Sequence, residues 1–109
     1  MSKLSPALAA RIAKTIAGEI GARPGLVEAA EDSDLFLCEA AYQDGRDDHF
    51  DGIHLTGGRA GAAAAEAAVK RLLLTHIPVW TDPKVLLEHA GEEYDGHLSV
   101  AVSGVTYSI

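Results

Sequence analysis

Between Leu55 and Trp80 the chain reads LTGGRAGAAAAEAAVKRLLLTHIPVW, a run of small residues that passes into a run of large apolar ones. Thr56 is placed to cap a helix, and Ala60, Ala63, Ala64, Ala67 and Ala68 give that helix a face small enough to lie close to a neighbour. Leu72, Leu73 and Leu74 do not alternate with polar residues, so Arg71 to Ile77 is predicted as a strand covered on both faces, as in a parallel α/β sheet. Pro78 lacks a donor and ends it.

The same pattern reading extends to the rest of the chain. Ser5 and Pro6 form a helix start, and Leu8, Ile12, Ile16 and Ile20 recur every four residues. This spacing predicts a helix over residues 5–20, stopped at Gly21. Pro24 opens a second, short helix to about Ala30. Leu35 to Ala40 (LFLCEA) is the first strand by pattern, and Gln43 to Gly52 is a polar, acidic loop. Asp82 and Pro83 start a fourth helix that Gly91 should end. Leu98 to Val102 and Val105 to Ile109 read as two short strands of a hairpin around Ser103-Gly104. Strand, helix, strand at this spacing is a βαβ unit with parallel strands. The expected architecture is α/β, with helices covering a mixed sheet.

Length and composition narrow the picture. A chain of 109 residues fits one domain with a modest core. A net charge of -7 argues against a nucleic-acid surface, which needs clustered Lys and Arg. No apolar run reaches membrane-spanning length, and no signal-peptide pattern opens the chain. The single cysteine, Cys38, excludes an internal disulfide, so a cytoplasmic, reducing compartment is expected.

One constellation carries chemistry. The βαβ order places Glu39 and His76 near the carboxyl ends of neighbouring strands, with His54 in the loop before the helix. A carboxylate and two imidazoles converging there suit either a metal or acid–base work. Each also has a plainer reading: Glu39 as an acceptor for backbone amides, His54 as loop cover, His76 as a histidine held by backbone. Asp44, Asp47, Asp48 and Asp51 lack calcium-loop spacing and read as solvated. Cys38 reads as buried and inert, and Gly57-Gly58 is a weak phosphate-cradle signal without a P-loop lysine.

Three segments then fall into a known order. Cys38-Glu39-Ala40-Ala41, Ile53-His54-Leu55-Thr56 and Leu74-Thr75-His76-Ile77-Pro78 resemble His-Glu-Ala-Thr, Gly-His-Ser-Thr and Leu-Thr-His-Phe/Ile of metallo-β-lactamase-fold hydrolases of the ribonuclease Z-like branch. The resemblance covers residues 24–109 and implies the carboxyl-terminal half of the αββα fold, with residues 1–23 a divergent helical segment of the same single domain. It implies that His76 matches a ligand of the second zinc, and that Glu39 and His54 match a catalytic pair passing a proton to the leaving group. Cys38 stands where that branch has histidine. Ala17-Gly18-Glu19-Ile20, ahead of Pro24-Gly25-Leu26, aligns with a Ser-Gly-Asp-Thr turn, which would make Glu19 a metal ligand in place of the family's aspartate.

The family's His-x-His-x-Asp-His motif, which builds the first metal site, does not occur in these residues, and His49, His89 and His97 have no ligand spacing that replaces it. The expectation is therefore a truncated or recombined half of a metallohydrolase, retaining the fold and at most weak zinc binding. The alternative is a zinc-dependent, phosphodiesterase-like hydrolase completed by homodimerisation or by a complementary half-domain chain. Neither membrane nor nucleic acid is an expected partner.

Overall fold

The computed structural model describes residues 12–14, 23–47 and 55–107. At its centre two apolar strands, β2 (Leu35–Glu39) and β3 (Arg71–Thr75), run parallel and are joined through a helix, α2 (Gly57–Glu66). On one side β1 (Ile12–Lys14) pairs with β2, followed in the chain by α1 (Arg23–Ala30). On the other side α3 (Pro83–Glu93) leads to β4 (His97–Val100), which pairs with β3. The sheet order is β1-β2-β3-β4, and every pairing is parallel.

Strands added in chain order through crossovers of one hand bring every connecting helix to the same face. The main buried cluster has this form. Phe36 and Cys38 of β2 and Leu72 and Leu74 of β3 lie in it with Leu26 and Ala30 of α1, Ala60, Ala63 and Ala64 of α2, and Leu86 and Ala90 of α3. The parallel register sets Phe36 beside Leu72 and Cys38 beside Leu74, so one strand period fills one layer of the core. Leu35 and Leu73 are buried too, but on the alternate positions. Both strands are thus apolar on both faces, which is why they show no alternation in sequence.

Two helix ends are fastened as predicted. Thr56 sits in extended backbone and its side chain accepts from Arg59 N at 3.1 Å; Asp82 does the same for Lys84 N at 3.0 Å, with Pro83 following. Thr56 is 2% exposed, so Thr56→Ala strips a buried cap. It should cost about 0.5–2 kcal/mol, read as a lower urea midpoint at unchanged m-value. At the far end of α3 the Tyr94 hydroxyl donates to Val69 O at 2.9 Å. Burial, and then the neighbouring Asp95 carboxylate, push this phenol above its ordinary pKa and keep its proton on at neutral pH.

Three expectations are corrected. Where a helix was expected over residues 5–20, Ile12–Lys14 form a strand, β1, and the rest of that stretch lies outside the described residues. A spacing of four satisfies a strand's period of two as well as a helix turn, and the β-branched residues of this stretch suit a sheet edge. The sheet is parallel rather than mixed among the described residues, because the closing hairpin lacks its second strand there. The turn itself forms, with Gly104 at φ 82° and Val105 N donating to Val102 O at 3.2 Å. Beyond it the Tyr107 hydroxyl donates to Val100 O at 3.3 Å and accepts from Val102 N at 2.8 Å, in place of strand pairing. Finally, α3 runs through Gly91 to Glu93.

Candidate functional site

Glu39 closes β2 and faces Thr75, the last residue of β3, across the ladder. Ala40 N extends that ladder by donating to Thr75 O at 2.9 Å. The predicted placement of Glu39 and His76 at the carboxyl ends of adjacent parallel strands therefore holds. The two residues differ sharply in their surroundings. Glu39 is 4% exposed, and its carboxylate accepts from Leu55 N at 2.8 Å on Oε1 and from Ala41 N at 3.2 Å on Oε2. His76 is exposed and sits at φ 60°, in the left-handed region. That conformation ends the β3 ladder before Pro78, which is why the strand stops at Thr75 rather than Ile77.

His54 and Glu19 both lie outside the described residues. Glu39 and His76 are thus the two proposed site residues the fold brings to one edge. Among the described residues no group of three or more His, Cys, Asp or Glu side chains is arranged to hold a metal ion. The donor chemistry agrees, because both Glu39 oxygens accept from backbone amides, while His76 is exposed. A zinc site does not fit the described residues by themselves.

The edge also carries a cleft of about 630 Å³ at the carboxyl ends of β3 and β4. Thr75, His76 and Ile77 form one wall, and Val100, Ala101 and Val102 the other. Among the described residues His76 is its one ionisable lining group, and Thr75, Thr81 and Ser103 add hydroxyls to the apolar Ile77, Val100 and Val102.

Some contacts were not legible in the sequence. Asp44, read as solvated, accepts from Gly58 N at 2.8 Å and so fastens the polar loop to the first turn of α2. The same oxygen lies 3.2 Å from His89 Nδ1 on α3. Asp47 accepts from Gln43 N at 2.9 Å and pairs with Arg46, whose Nη2 donates to Thr81 Oγ1 at 2.9 Å. The α2 amide that a phosphate cradle would use is thus already taken by a carboxylate. An aspartate some way ahead of a helix start is the one hint the sequence offers, and its spacing is that of no motif. Cys38 is buried as expected.

No protein-family model matches the chain. An uncharacterized protein of Mycobacterium leprae (strain TN) is 45% identical over 92 residues, 84% of this chain and 32% of that protein. A ribonuclease Z of Myxococcus xanthus (strain DK1622) is 38% identical over 97 residues, 86% of this chain and 32% of the relative. The crystal structure of the metallo-β-lactamase fold protein YhfI from Bacillus subtilis matches with a TM-score of 0.68 at 24% identity, covering 90% of this chain and 36% of that one. The short form of human tRNase Z matches with a TM-score of 0.69 at 20% identity, covering 97% of this chain and 36% of that one. The chain spans about a third of the length of the relatives it matches. Its fold is part of a metallo-β-lactamase fold, and its sequence is similar to that of ribonuclease Z proteins.

Proposed function

Proceeding from that fold and that similarity, we propose that these residues supply one layer of a zinc-dependent, phosphodiesterase-like hydrolase. By themselves they hold metal weakly at most. The observation that carries this reading is His76. Asp32 and Ala68 share the left-handed backbone of His76, at φ 56° and 55° against 60°, so the strain of about 1–3 kcal/mol that the surroundings must offset counts for its position at the strand end and not by itself. Here it falls on an exposed histidine directly behind a buried strand, within the Leu74-Thr75-His76-Ile77 segment that matches the family's ligand motif. The rigid β3 ladder sets where the imidazole stands.

In this reading His76 is held ready as a metal ligand, while His54, backed by Glu39, gives a proton to the leaving group. Generating the attacking hydroxide falls to a His-x-His-x-Asp-His segment, which the 109 residues do not contain. The second layer, with that segment, comes from a complementary half-domain chain. A cytoplasmic setting suits the one buried thiol, Cys38. Among the described residues no helix is long and apolar enough to cross a membrane.

Hydrolysis of bis(p-nitrophenyl) phosphate with added zinc tests the proposal. The chain alone should give background rates. Joined to a polypeptide that carries the missing His cluster, it should turn over, and His76→Ala should lower kcat/KM at least a hundredfold, in line with losing a metal position. Turnover that survives His76→Ala would refute the assignment.

A further inference from the structure

We infer that the turns at residues 78–81 and 102–105 form a preorganised docking surface for the complementary half-domain, with Trp80 as its anchor. This rests on the reading above, in which a second layer brings the missing His segment, and adds where that layer seats.

Charge and exposure pick out the surface. The chain has 16 acidic and 9 basic residues, yet residues 72–81 and 98–107 contain no Asp, Glu, Lys or Arg. The large hydrophobic side chains exposed among the described residues fall in these same two segments: Val79 at 98%, Trp80 at 75%, Val102 at 57% and Val105 at 51%. Val79 and Val102 line the cleft that His76 also lines, so the apolar rim and the imidazole share one edge. Side chains this exposed add little to the core, and turns ordinarily favour Gly, Pro, Asn, Asp or Ser. An uncharged apolar patch on a strongly charged chain marks contact with another polypeptide.

Both turns are fastened beforehand. Thr81 N donates to Pro78 O at 3.0 Å, and Thr81, which is buried, accepts on Oγ1 from Arg46 Nη2 at 2.9 Å. Val105 N closes the second turn on Val102 O at 3.2 Å, while the Tyr107 hydroxyl bonds to Val102 N and Val100 O. Tips held in place before contact lose little freedom on binding. Tryptophan is also among the residue types that dominate interface energies.

Three observations choose the occupant. The chain spans about a third of the length of its relatives and 36% of each matched solved chain, so most of those proteins lies outside the matched segment. The missing His segment has to work beside His76, so the polypeptide that carries it has to close over the edge these turns flank. A nucleic acid would need Lys or Arg in contact, and neither segment supplies one.

Trp80 is the only tryptophan of the chain, so its fluorescence reports on this surface directly. In the free chain acrylamide should quench it nearly as readily as free indole. The partner used is the part of the Myxococcus xanthus ribonuclease Z outside the match, with any tryptophan changed to phenylalanine, joined to the full chain. In the joined protein Trp80 emission should move to the blue and its quenching constant should fall roughly threefold, as for an anchor taken out of water. Val79→Asp combined with Val102→Asp should lower the Tm of the joined protein by about 5 °C or more and leave that of the free chain unchanged. Trp80 still quenched as in the free chain, equal Tm shifts in both proteins, or a joined protein that does not unfold as one cooperative unit would each overturn the proposal. Shielding of Trp80 that grows with the concentration of the free chain would overturn it in favour of a second copy, and shielding by oligouridylate in favour of RNA. Shielded Trp80 without phosphodiester hydrolysis supports the surface while sinking the functional reading; hydrolysis with Trp80 still open to quencher does the reverse.

Discussion

Gly61→Ala should destabilise the fold by about 1–3 kcal/mol, although alanine is the better helix former by about 1 kcal/mol. The sign follows from how closely α2 and α3 cross. A Cβ on Gly61 would run into the carbonyl oxygen of Ala90 and stand 2.9 Å from its Cα; one on Gly57 would stand 2.6 Å from Leu86 O. Both obstacles are backbone, so neither can turn aside, and the helices must separate. Separation unseats Ala60, Ala64, Leu86 and Ala90, each fully buried. Gly91 is the control. It lies within α3, is exposed, and a Cβ there meets Leu98 Cδ2 at an ordinary 3.8 Å. Gly91→Ala should therefore stabilise by about 0.5–1 kcal/mol. Urea denaturation of the two variants should move the midpoint in opposite directions; a stabilising Gly61→Ala would mean that the helices do not cross so closely.

A larger loss is expected from Phe36→Ala, about 3–5 kcal/mol. Phe36 is 1% exposed, pairs with Leu72 in the β2–β3 ladder, and is the largest fully buried side chain among the described residues, in a core otherwise rich in alanine. Alanine on the surrounding helices cannot move in to refill the space, since its side chain has no rotamers to change. Against a total stability of about 5–15 kcal/mol, such a loss leaves little margin. Thermal unfolding followed by circular dichroism should show a drop in Tm of roughly 4–8 °C per kcal/mol lost. A drop of only a few degrees would show that the core does not depend on this layer.

The central βαβ unit was legible because its signals are local and agree with one another. Thr56 before Gly57-Gly58, a small-residue helix, and three consecutive leucines specify a capped helix followed by a doubly covered strand. The parallel pairing then followed from the connection. Where the reading failed, two structures shared one pattern. The four-residue recurrence of Ile12, Ile16 and Ile20 suits a helix face and a strand face alike, and pairing with β2 decided for the strand at Ile12–Lys14. Gly57, with Gly58, read as a weak phosphate-cradle signal; Gly57 and Gly61 instead allow close approach to α3, a contact between segments more than twenty residues apart that no local pattern encodes.

Of the candidate site, the placement of Glu39 and His76 at one sheet edge could be read from topology. The state of each could not. Glu39 is occupied by amides supplied by Ala41 and Leu55, and only the folded loop reveals this. The left-handed backbone of His76 leaves no trace in composition, because the residue's neighbours, Thr75 and Ile77, are ordinary strand formers. Asp44 misled for the same reason: its carboxylate is recruited by α2 and by His89 after the loop closes over them.

Zinc content tests the central claim most directly. Elemental analysis of the purified 109-residue chain, after exposure to excess zinc and removal of unbound metal, should find far less than one equivalent per chain in every oligomeric fraction, because three or four ligands are needed and among the described residues no group of three or more His, Cys, Asp or Glu side chains is arranged to hold a metal ion. One equivalent of zinc per chain, lost in His76→Ala and accompanied by phosphodiester hydrolysis, would contradict the account and make this chain a metalloenzyme in its own right.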